Sequence, residues 1–129
     1  MLYLLSHPME RPVARALAGA LEARGLRVNW EGLLKPGDSW EEWDGAALSD
    51  SAVVVALLPP GYEARGPFAY RVEKALERAA ADGGPALVAV LLDGLEAPAA
   101  FEGRVCIPGG DPAEIAARIL AASPDSGAA

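Results

Sequence analysis

The sequence predicts an α/β protein, a three-layer sandwich whose five-stranded parallel sheet runs in the doubly wound order 2-1-3-4-5. Three observations predict it. Residues 52–58 (AVVVALL) and 86–92 (ALVAVLL) are continuous apolar runs, as expected of strands buried on both faces. Segments with apolar residues at helical spacing separate the apolar runs, so strand and helix alternate along the chain. Residues 26–30 instead place Leu26, Val28 and Trp30 on one face and Arg27 and Asn29 on the other, which marks a half-exposed edge strand.

The first strand is Leu2-Tyr3-Leu4-Leu5. A helix follows over 10–24: Pro12 suits its first turn, Val13, Leu17 and Leu21 make one apolar stripe, and Gly25 suits its stop. After the edge strand, 32–39 is a loop, and Trp40, Trp43, Ala47 and Leu48 share one face of a second helix. Beyond strand 52–58 come a loop over 59–67 and a third helix over 68–81, striped by Val72, Ala75, Leu76 and Ala79 and ended by Gly83-Gly84-Pro85. Strand 86–92 leads into a mostly irregular stretch, 93–103, and a short last strand, 104–107. Asp111 as N-cap, Pro112 at the first helical position and Glu114 at the third open the final helix, in which Ile115, Ile119 and Leu120 face inward. Residues 1–122 then make one domain, and 123–129 read as a flexible tail or linker stub.

The totals exclude several classes. A chain of 129 residues is one domain's worth and buries a core without metals or staples. A net charge of −7 argues against a nucleic-acid groove, which needs concentrated lysine and arginine. No apolar run approaches the roughly 20 residues of a membrane span. One cysteine, Cys106, leaves no internal disulfide, so a cytoplasmic protein is expected. Cys106 itself reads as a buried structural thiol. One Cys and one His cannot make a typical zinc site, and no metal is expected.

The ligand crevice of a doubly wound sheet lies beyond the carboxyl ends of its strands. Those ends are Ser6-His7, Trp30-Glu31, Leu58-Pro59-Pro60 and Leu92-Asp93-Gly94. With them placed, the chain resembles a TIR (Toll/interleukin-1 receptor) domain of the bacterial kind over about residues 2–122. LYLLSHPMERPVARALAGALEARGLRV resembles the family's first strand, turn and helix. LLKPGDSW resembles its loop after the second strand, SDSAVVVALLPPGY its third strand with the following turn, and ALVAVLLDG its fourth. The flavodoxin-like fold also houses receiver domains and flavodoxins. Ser6-His7 and Leu58-Pro59 stand where a receiver needs acids, and SHPMERP is a poor phosphate loop.

The resemblance implies two activities. TIR domains assemble with one another and with other effector domains through the loop after the second strand. Here that loop holds Lys35, Pro36, Gly37 and Asp38, with Trp40 behind it, so self-association is expected. Many bacterial members also cleave NAD, using a glutamate early in the third helix. The ungapped frame places Arg71 there, and arginine is always cationic and takes up no proton. Glu73, two residues on, turns roughly 200° away from Arg71 and remains a weak catalytic candidate. The expected function is therefore a non-catalytic signalling or assembly domain of a bacterial defence protein, the alternative being an oligomerisation-activated NAD-cleaving enzyme. No cofactor is required; NAD is a possible substrate or ligand. The candidate ligand-binding residues are Ser6, His7, Trp30, Glu31, Phe68 and Arg71. Three have a plainer reading: Arg71 as a solvated helix residue, Glu31 as a solvent-facing loop acid, His7 as structural or exposed.

Overall fold

A computed structural model describes residues 1–33, 37 and 39–122, the side chains of Trp40 and Glu41 excepted. Its strands are β1 (Leu2–Leu5), β2 (Val28–Trp30), β3 (Val53–Leu58), β4 (Ala86–Leu91) and β5 (Val105–Pro108). Its helices are α1 (Arg11–Glu22), α2 (Trp40–Asp50), α3 (Gly66–Ala80) and α4 (Pro112–Ala122), with short 3-10 turns at 8–10, 31–33, 62–64 and 99–101. All strand pairs are parallel, in the order β2-β1-β3-β4-β5.

Side chains alternate across the sheet and divide the core in two. Leu2, Leu4, Val55, Leu57 and Val90 face α1 and α4. Tyr3, Leu5, Val54, Ala56, Leu58 and Ala89 face α2 and α3. Ordinary register, with Leu4 opposite Trp30 and Leu5 opposite Ala56, brings the carboxyl ends of β1, β2 and β3 together.

Several boundaries differ from the sequence reading. β2 starts at Val28 because the Leu26 amide still donates to the Leu21 carbonyl at the end of α1. α3 starts two residues early, at Gly66, with Pro67 in its first turn, where a missing N–H costs nothing. α1 buries Ala14, Leu17, Ala18 and Leu21, whereas Val13 is 37% exposed: four-residue spacing drifts around a 3.6-residue helix. Leu120 is half-buried. Asp111 caps α4 as expected, its carboxylate accepting from the Glu114 amide. Residues 123–129 lie outside the described residues.

The stretch 93–103 holds a core residue that periodicity did not show. Phe101 sits in a 3-10 turn, is 1% exposed, and joins the α2/α3 side of the core. Truncation of Phe101 to alanine is expected to destabilise the fold by about 3–5 kcal/mol, read from urea unfolding, although the residue lies in no helix or strand.

Candidate functional site

His7 and Pro8, past the carboxyl end of β1, meet α2 and α3 at an open crevice that Ser6, Trp30 and Glu31 do not line. A groove of about 1420 Å³ opens there, lined by His7, α2 residues including Glu42, Asp44 and Ser49, and α3 residues including Phe68, Arg71, Lys74 and Arg78. Its aromatic end is built from neighbours: Phe68 packs edge-on against His7 at 5.7 Å and against Tyr62 at 6.4 Å. The His7 Nδ1 accepts from the Met9 amide at 3.1 Å and caps the 3-10 turn that leads into α1. That bond leaves the Nε2 side of the ring as the donor.

Arg71 lines the groove but is mostly buried rather than solvated. Its side chain is 12% exposed and that of Asp44, on α2, is 14% exposed. The Arg71 Nε donates to Asp44 Oδ1 at 3.2 Å, Nη2 to the Tyr3 hydroxyl at 2.8 Å, and Nη1 to the Ser6 carbonyl at 3.5 Å. The Tyr3 hydroxyl in turn donates to Asp44 Oδ1. Tyr3 is wholly buried, and burial pushes its phenol far above the usual range, so it stays protonated and holds that donor role. Guanidinium, carboxylate and phenol therefore form a closed network across β1, α2 and α3. The solvated reading of Arg71 is corrected by it.

Glu31 requires a second correction. It is only 7% exposed and opens the 3-10 turn after β2, rather than facing solvent. Burial raises its carboxyl above the ordinary value of 4.5, while Arg71, Arg11 and His7 pull the other way. Its Oε1 and the Oγ of Ser6, itself wholly buried, have no hydrogen-bond partner among the described residues. Two such oxygens at adjacent strand ends suit a donor supplied by water or ligand.

The remaining candidates separate. Trp30 points into the α1/α4 side of the core, not into the groove. Glu73 is exposed on α3 and does not line the groove, whereas Tyr70, Arg71, Lys74 and Arg78 do. Gly37 is exposed with a φ of 94°, a conformation that favours glycine. Lys35, Pro36 and Asp38 lie outside the described residues, as does the side chain of Trp40. Cys106 is half-buried on the edge strand, and burial pushes its thiol up. Among the described residues no group of His, Cys, Asp or Glu could hold a metal, and no helix is long and apolar enough to cross a membrane.

Tyr3 and Asp44 were missed as site residues, though each left a trace. Tyr3 is the one hydroxyl in an otherwise apolar buried strand, and such a hydroxyl needs a partner. Asp44 stands three and four residues before Ala47 and Leu48, on the inward face of α2.

An open parallel sheet in the order 2-1-3-4-5, with a crevice beyond a strand's carboxyl end walled by two helices joined through a charge pair, defines a doubly wound α/β domain. The family model described as TIR domain matches residues 4–120, and the chain belongs to that family. Among curated proteins none matches the chain.

The network makes a sharp energetic expectation. Arg71→Met and Asp44→Leu each strand a buried charge and are expected to cost about 3–5 kcal/mol. The double variant is expected to cost clearly less than their sum, as a urea double-mutant cycle would show. Glu31 makes another. Its carboxyl titrates higher folded than unfolded, so it opposes folding most at pH values above both and least below the unfolded value. Glu31→Gln is therefore expected to unfold at higher temperature than wild type at pH about 8, with the advantage vanishing toward pH about 4.

Proposed function

We propose that this chain is a TIR assembly domain of a bacterial defence or signalling protein, working in the cytoplasm, whose crevice no longer cleaves NAD. One observation carries the reading. Arg71, which the ungapped frame aligns with the glutamate of the family's cleaving members, lines the groove and is engaged by Asp44 and Tyr3. A guanidinium neither shuttles a proton nor stabilises the positive charge that builds on ribose as nicotinamide departs. Glu73 lies on the other side of the helix. The partners are other TIR or effector domains and further copies of this chain, met through the turn around Gly37. A nucleotide such as NAD remains a ligand the groove could hold.

A second reading, NAD cleavage on assembly, is favoured by Glu31, a buried carboxyl with raised pKa at the end of β2, within electrostatic reach of Arg71. Concentrated protein with a crowding agent distinguishes the two. Wild type is expected to consume no NAD while its scattering mass rises with concentration, and Gly37→Pro and Asp38→Ala are expected to stay monomeric. Turnover that Glu31→Gln or Glu73→Ala abolishes would establish an enzyme. Turnover gained by Arg71→Glu made together with Asp44→Asn would show a crevice that lost only its acid.

A further inference from the structure

The turn after β2 has its polarity inverted. Glu31 is 7% exposed and Leu33, two residues on, is 55% exposed. The cause lies at Gly32, where a Cβ would fall 2.4 Å from the Trp30 indole. Only a residue without a Cβ passes so close to the ring, and the turn seated there carries residue 31 inward and residue 33 outward. Trp30 is held from below by the α1/α4 side of the core. The charges that face Glu31 come from three elements: Arg11 on α1, His7 between β1 and α1, and Arg71 on α3. None donates a hydrogen bond to Oε1, which has no partner among the described residues. A carboxylate with one oxygen buried and unmet costs more to keep than the neutral acid does. The leucine outside is the complement of the acid inside.

We propose that residues 31–33 are a proton-operated latch: neutral Glu31 stays buried and seats the turn on Trp30, and ionised Glu31 leaves for water, lifting the turn and letting Leu33 fold inward. The latch holds whether or not NAD is cleaved.

Nuclear magnetic resonance of the full chain, with labelled glutamate carboxyls and backbone amides, tests it between about pH 4 and about pH 8. The Glu31 carboxyl is expected to titrate above the ordinary 4.5, and the amide signals of Trp30, Gly32 and Leu33 are expected to shift with the same midpoint. Glu31→Gln is expected to abolish that step and hold the three amides at their low-pH positions. His7→Gln, which removes the one imidazole, is expected to leave the step in place. The latch is overturned if Glu31 titrates in the ordinary glutamate range, or if the Gly32 and Leu33 amides stay still as it titrates. It is also overturned if the step persists in Glu31→Gln or vanishes in His7→Gln. Loss of NAD turnover or of assembly is read in separate assays and does not bear on these signals.

Discussion

The Arg71–Asp44–Tyr3 network is the constraint on which the crevice depends. Among the described side chains of α2, Ala47 and Leu48 are buried and Trp43 is half-buried, its ring edge-on to Tyr3 at 5.4 Å. Polar contacts add to that attachment. Asp44 meets Arg71 and Tyr3, and Ser49 accepts from Arg78 at the far end of the groove. The two clasps hold α2 and α3 across an open groove rather than closing it. Buried charge is a poor source of net stability but a strong source of specificity, because every misplaced alternative leaves an ion unpaired.

The same network sets the charge of the groove wall. Arg71 brings a cation to it, and Asp44 beside it balances that charge. A further carboxyl, Glu31, stands at the end of β2, where burial is the largest influence on it and holds its proton more tightly than water would.

Much of this was legible in the residues. The apolar runs at 53–58 and 86–91, the β2 alternation and the Asp111 cap are local signals, and each element formed where its pattern lay. The opposition of Arg71 and Glu73 followed from helix geometry alone. Other features were not local. The burial of Glu31 comes from Gly32 lying against Trp30, a contact no periodicity encodes. Phe101 is buried because β4 and β5 bring an irregular stretch over the sheet. Val13 is outside because only the packing of α1 on the sheet says where the apolar stripe ends.

By itself the sequence determined the fold class, the strand order and the family, because these rest on period, spacing and residue type. Only the tertiary structure decided which charges meet. Tyr3 and Asp44 are 41 residues apart and Tyr3 and Arg71 are 68 apart, so their closure depends on how β1, α2 and α3 pack. Whether a side chain is solvated, paired or stranded is a property of that packing, and it changed the meaning of Arg71 and Glu31.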